Sequence, residues 1–300
     1  MDENGTAMVL ASFAGDSLAL GAHWIYDTGQ ISAKFGKIDQ FLKPLPESYH
    51  PTQDRGAFTH YGDQTLVLLA SLAANRGFVL SDFSERWRAL FKGYDGYVDQ
   101  ATRLTLAGYA SGNTHENRGS PSDDLAGAAR IAPLVYAYRD NRDALVEGAR
   151  SQTRMTHSHP LTIDSAEFFA RLTWDVLNGV SPVEAITQVA QAHFSNSPLS
   201  DWVRAGLASS DKESVEAIVA FGQSCHTPEA FPGVVHLIGR YENDLKEALI
   251  QSVMAGGDSA ARGMIVGMVL GAHLGPTALP QEWVDGLKEK DRILELLEAL

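Results

Sequence analysis

The sequence predicts an all-α fold, a single compact orthogonal multi-helix bundle over residues 1–300. Three observations predict it. Apolar residues recur at helical spacing, and period-two alternation is scarce. The helical runs open on N-cap residues and first-turn prolines. No long linker or low-complexity tract divides the chain, which favours one many-helix domain over two separable ones.

The elements follow in order. The apolar stretch 7–26 carries Asp16 and His23, and 264–274 is too short to span a bilayer at ~1.5 Å per residue, so both read as buried core helices. Lys43-Pro44-Leu45-Pro46 marks a loop, and Asp63 precedes a helix over 64–74. A loop over 111–122 leads to a helix over 123–139, opened by Ser122-Asp123-Asp124. Helices over 161–178 and 182–193 come next, the second with Ser181 as N-cap and Pro182 at its first position. After the loop at Ser195-Asn196-Ser197-Pro198, helices over 243–255 and 259–274 complete the series. Glycines 263, 267, 271 and 275 stand four apart on one face. Each costs ~1 kcal/mol of helix propensity, and a face without side chains admits a second helix. The stripe therefore predicts a buried central helix and is compatible with space beside a pocket.

Composition narrows the function. With 44% hydrophobic and 20% charged residues, the chain is that of a globular protein with a sizeable core. Its net charge is −13 and its 24 Lys and Arg are scattered, which argues against nucleic acid as a partner. An anionic substrate would need local help from a metal ion, a helix N-terminus or a placed arginine. Cys225 is the one cysteine, so no internal disulfide forms, as suits a reducing compartment. The start, Met1-Asp2-Glu3-Asn4-Gly5, lacks the basic stretch of a signal peptide. A cytoplasmic protein with no membrane partner is expected.

Four segments place carboxylates or glycines where packing does not require them: Gly15-Asp16-Ser17, Gly62-Asp63-Gln64-Thr65, Asp123 to Arg130, and Gly256-Gly257-Asp258-Ser259. An acid inside an apolar helix is expensive unless paired or ligated. Asp63 and Asp258 also suit simple N-caps at ~1 kcal/mol each, and Asp123-Asp124 read best as acids that favour a helix N-terminus.

In order and surroundings these segments resemble the ADP-ribosylglycohydrolase family. Gly15-Asp16-Ser17-Leu18 matches its Gly-Asp-Ala-Leu, and Gly62-Asp63-Gln64-Thr65 stands in place of its Thr-Asp-Asp-Thr. Gly127-Ala128-Ala129-Arg130-Ile131-Ala132-Pro133-Leu134 echoes a phosphate loop, Thr156-His157 matches a Thr-His pair, and Gly256 to Ala261 matches Gly-Gly-Asp-Thr-Asp-Thr. The resemblance runs from about residue 7 to Trp283 and implies that family's all-α bundle. The segments Gly15 to Asp27 and Tyr61 to Thr65 resemble the branch of jellyfish J-type crystallins and related selenoproteins.

The resemblance implies a site on Asp-rich motifs that hold two magnesium or manganese ions over a ribose. Here the partner acids are Gln64 and Ala260, the threonines are Gly62 and Ala261, and Leu125-Ala126 replaces the loop's Asn-Gly. Asp27 lies near the place of a further family glutamate. Hard cations want ~6 oxygen ligands, so Asp63 and Asp258 support one weakly held Mg²⁺ or Mn²⁺, and a two-metal site is doubtful. Arg262, four residues after Asp258 on the same face, is expected to neutralise Asp63 and Asp258 where a metal would sit, or to meet a substrate anion.

The expected chemistry is hydrolysis of an N- or O-glycosidic bond in an ADP-ribosyl or related substrate. Asp63 and Asp258 hold a metal or the attacking water, assisted by Asp16 or Asp27, while Arg130 and Arg262 face phosphates. His157, Gly127 and Gln64 complete the substrate contacts. His23, Trp24 and Tyr26 suit an aromatic wall or core packing equally. Cys225-His226 does not read as a nucleophile–base pair, because adjacent helical residues diverge by ~100°. The alternative is a non-catalytic ADP-ribose-binding or crystallin-like structural protein. An ADP-ribose-like molecule or an ADP-ribosylated protein is the expected partner.

Overall fold

The computed structural model describes residues 2–112, 114 and 119–300; of the loop expected over 111–122, residues 113 and 115–118 lie outside that description. Helices α1 (Glu3–Ala19), α2 (Thr28–Phe35), α3 (His60–Asn75), α4 (Leu80–Leu90) and α5 (Gln100–Ala110) come first. The short α6 (Ala126–Ala129) and α7 (Ala132–Ala137) lead to the long α8 (Arg142–Thr156) and α9 (Pro160–Leu177). Then follow α10 (Pro182–His193), α11 (Pro198–Ala208), α12 (Ser214–Phe221), α13 (Thr227–Arg240), α14 (Leu245–Met254) and α15 (Ser259–Leu274). A 3₁₀ turn (Pro276–Ala278), α16 (Gln281–Gly286) and α17 (Lys290–Glu298) close the chain.

The centre is the pair α1 and α15, whose buried faces are continuous over much of both helices. Their register is antiparallel. Gly271 lies against Ala7 and Ala11, Gly267 against Ala11, and Gly263 against Gly15. A Cβ added at Gly267 would overlap the Ala11 carbonyl, so two backbones occupy the space that side chains normally fill. Gly275 leaves the stripe and serves as the C-cap, at φ 71°. Other helices wrap this pair, and the buried apolar side chains form one continuous cluster. Among the described residues no helix is long and apolar enough to cross a membrane.

One expected helix is divided. Residues 123–125 run extended beside 225–227: Leu125 N donates to Cys225 O (2.8 Å) and Thr227 N donates to Asp123 O (2.9 Å). The helix expected over 123–139 therefore becomes α6 and α7, with Pro133 near the start of the second. Among the described residues β pairing is confined to two isolated bridges, Ser120 with His157 and Asp124 with His226.

Candidate functional site

Antiparallel packing brings the C-terminal end of α1 beside the N-terminal end of α15, and two motifs fix the segments around that end. In the first, Asp16 accepts hydrogen bonds from Thr59 N (2.7 Å) and Thr59 Oγ1 (2.5 Å), and Ser17 Oγ donates to Ala57 O (3.0 Å). These bonds anchor the segment that leads into α3, and Thr59 caps that helix. Burial pushes the Asp16 carboxyl up to about 7 against these bonds. With both oxygens engaged inside the core, Asp16 positions α3; the expected catalytic assistance is not what its geometry provides.

The second motif is Gly256-Gly257-Asp258. Both glycines have left-handed φ, 70° and 64°, and a Cβ at Gly257 would overlap Gln223 O. This close turn lets Trp24 N donate to Gly257 O (2.9 Å) and Asp258 N donate to Gln223 O (2.9 Å). Asp258 caps α15 through Ala261 N (3.3 Å) and also accepts from Tyr61 Oη (3.1 Å).

The extended pairing of 123–125 with 225–227 completes the site. It brings one ligand atom each of Asp124, Cys225 and Asp258 within 4.8 Å of one another. Desolvation, then the neighbouring Asp258, holds the Asp124 carboxyl well above the usual carboxylate range. Asp258 is raised by burial as well, with Ala261 N and Arg262 opposing. Burial and the two carboxylates push the Cys225 thiol up. Tyr26 is 49% exposed, and its phenol is raised to about 12 by its own partial burial and then by Asp258 and Cys225.

Beside these acids stands a cluster of rings. His23 packs on Trp24 (4.2 Å between centroids), and Trp24 stacks with His50 and meets Tyr49 and Tyr97 edge-on. Both ring nitrogens of His23 and His50 are buried without hydrogen-bond partners. Burial drives the His50 imidazole down to about 3 and His23 well below its ordinary range. His60 Nε2 lies 3.3 Å from Asp99, which burial would raise but which bonds from His60 and Thr102 hold well below the usual carboxylate range.

The structure distributes the other expected residues differently. Asp63 does not meet Asp258. Residues two apart on a helix project ~200° apart, so Tyr61 reaches Asp258 while Asp63 accepts from Tyr94 Oη and lines a separate cleft with Arg86, Glu289 and Arg292. Burial raises the Asp63 carboxyl to about 6 there. Gln64 faces inward, its Oε1 accepting from Trp87 Nε1 (2.7 Å) and Arg130 Nη1 (2.6 Å). Arg130 spends its remaining donors on Gln152 and Thr156, so it ties helices together instead of presenting itself to phosphates.

Arg262 makes no direct ion pair with Asp258, although its charge stabilises that carboxylate. Its Nη2 donates to Ser252 O (2.7 Å) and Gly256 O (2.7 Å), fastening the turn between α14 and α15. Asp27 is an exposed N-cap of α2, accepting from Gln30 N (3.1 Å). Gly127 packs against the His157 ring, which leaves no room for a Cβ, and accepts from Gln152 and Thr153. Thr156 Oγ1 accepts from Arg130 and lies in hydrogen-bond contact with His157 Nδ1 (2.8 Å). His157 Nε2 is buried and unpartnered, and burial, then Arg130, lowers the imidazole to about 3.

A pair of magnesium or manganese ions does not fit this arrangement. Gln64 is consumed by Trp87 and Arg130, positions 260 and 261 are alanines, and Asp63 turns to Tyr94. Sequence reasoning missed Asp124, which reads as an ordinary first-turn acid, and dismissed Cys225. Only the pairing of two segments a hundred residues apart joins them.

The profile of the ADP-ribosylglycohydrolase family matches residues 2–300, and the chain belongs to that family. Among its relatives is Crystallin J1A of Tripedalia cystophora, 25% identical over 316 residues, covering 99% of this chain and 96% of that one. The ADP-ribosyl-[dinitrogen reductase] glycohydrolase of Rhodospirillum rubrum is 24% identical over 236 residues, covering 78% of this chain and 75% of that one. A solved structure titled ADP-ribosylglycohydrolase-related protein complex matches the fold with a TM-score of 0.76 at 22% identity, covering 99% of this chain and 96% of its own.

Proposed function

We propose that this chain, acting as one domain, hydrolyses an N- or O-glycosidic bond in an ADP-ribosyl or related nucleoside-type substrate, with Asp124 and Asp258 at the centre. Family membership and the glycohydrolase relative support the reaction class. The observation that carries the assignment of residues is the buried Asp124–Asp258 pair. Two carboxylates this close do not both ionise unaided, so the pair retains one positive charge, a proton or a cation in its place. Each carboxylate accepts a backbone N–H, Asp124 from Ala126 (2.8 Å) and Asp258 from Ala261 (3.3 Å), but the Arg262 charge supports Asp258, so when that charge is a proton Asp124 holds it. Asp124 can then protonate the departing group with the Asp258 carboxylate beside it; the two stand closer than the ~6.5–9.5 Å that admits a water between acid and base, so Asp258 acts directly on the anomeric carbon. The rings of Trp24, Tyr26 and Tyr49 offer flat apolar surface to a sugar or base.

The substrate is an ADP-ribose-like molecule or an ADP-ribosylated protein, and the free thiol of Cys225 suits the reducing cytoplasm. The test is release of ADP-ribose from ADP-ribosylated arginine and serine peptides. Asp258→Asn, which keeps the shape, should lower the rate by about 10²–10⁴-fold without loss of helical circular dichroism. A second reading, a binding or structural protein that keeps the pocket without the reaction, is supported by the crystallin relative. Binding of ADP-ribose with no turnover of either peptide selects it and overturns the hydrolase.

A further inference from the structure

Asp124 and Asp258 are not alone in their cluster. The Cys225 sulfur lies within 4.8 Å of an oxygen of each. His23 is 3% exposed, has no partner for either ring nitrogen, and holds Nδ1 3.9 Å from Asp258 Oδ1. The guanidinium of Arg262 binds the carbonyls of Ser252 and Gly256 through Nη2 alone; its Nε and Nη1 are buried without partners, and its charge stabilises the Asp258 carboxylate without a direct ion pair. These groups converge because three backbone pairings hold them there: Leu125 with Cys225, Asp258 with Gln223, and Trp24 with Gly257.

The donor types discriminate among cations. Magnesium and calcium take ~6–8 oxygen ligands and no sulfur. Carboxylate, thiolate and imidazole together suit a four-coordinate, borderline-soft ion at ~2.0–2.3 Å from each donor. We propose that Asp124, Cys225 and Asp258 bind one ion of the Zn²⁺ class in place of the expected magnesium or manganese, with His23, beside Asp258, the nearest unpartnered imidazole for a fourth position. The ion displaces the thiol proton and the proton shared by the carboxylates, and supplies the positive charge that the pair requires. This inference rests on the same two carboxylates as the proposed hydrolytic site.

Cobalt is the probe, because its spectrum reports sulfur ligation directly. Chelator-stripped protein titrated with Co²⁺ under reducing conditions should develop a near-ultraviolet thiolate-to-cobalt band and the visible bands of four-coordination, saturating at one equivalent. Zn²⁺ should abolish these bands, and a hundredfold excess of Mg²⁺ should leave them. Cys225→Ser should lose the near-ultraviolet band with unchanged circular dichroism, and His23→Ala should bind Co²⁺ about 10–100-fold more weakly. No thiolate band in the wild-type protein, a band that survives Cys225→Ser, or equal competition by Mg²⁺ overturns the proposal. A cobalt spectrum without ADP-ribose release upholds the ion site and overturns the hydrolase; release without the spectrum does the reverse.

Discussion

At Gly267 the α1–α15 pair has no space even for a methyl group, whereas at the Asp16–Asp258 end of the same pair buried polar atoms stand without partners. The middle of the pair is backbone against backbone, with small residues on both sides. Its end carries two carboxylates and imidazoles that burial pushes away from their charged forms, with both ring nitrogens of His23 unpartnered among the described residues. Unsatisfied buried groups are expensive, and such a cost persists where a rigid neighbourhood sustains it. The seam supplies that rigidity, and the unpartnered groups mark the place of the proposed site.

The contrast breaks most severely at the seam. Gly267→Val should abolish soluble folded protein, because its Cβ meets a carbonyl that belongs to a helix and cannot move aside. Normal yield and an unchanged urea midpoint would mean that the two helices have room between them.

Asp16 sits at the junction, one residue from the seam glycine Gly15. Its carboxyl, raised from 3.8 to about 7, is protonated in the native state over a range where the unfolded chain is ionised. The native state binds the extra proton, so stability falls as pH rises from about 4 to about 7 and levels off above. Asp16→Asn can keep both bonds to Thr59 and should remove this slope, on the order of 4 kcal/mol across the range. Urea titrations at several pH values measure it, and parallel slopes for the two proteins would sink it.

Arg130 tests the layer behind the rings. Arg130→Met strips a donor from Gln64, Gln152 and Thr156. It should cost about 2–3 kcal/mol, less than the seam substitution. A variant as stable as the wild type would show that the buried cation costs as much as it contributes.

The helical core was legible in the sequence because its signal is local. The apolar runs of α3, α9, α10 and α15 and the glycine stripe of α15 all fall within single helices. The site was only half legible. Asp258 and His157 stand in recognisable motifs, but their partners do not. Whether Asp63 faces Asp258 depends on the rotation of α3, which Thr59 and Asp16 set. Arg262 at four residues from Asp258 satisfies the helical spacing, yet the carbonyls of the preceding turn are better placed to accept from it. Asp124 and Cys225 meet through extended segments that carry no periodic signal.

The antiparallel seam also has a consequence for how the chain is made. Gly15 and Gly263 touch, so α1 finds its partner only after the roughly 240 residues between Ala19 and Ser259 have been translated. At ~5–20 residues per second this leaves α1 waiting on the order of 10–50 s, and contacts so distant in sequence slow the last step of folding. Nascent chains stalled before Ser259 should therefore be cut within α1 by added protease, and chains released past Leu274 should resist it. The helix pair that makes the finished protein rigid leaves its unfinished form dependent on protection during synthesis.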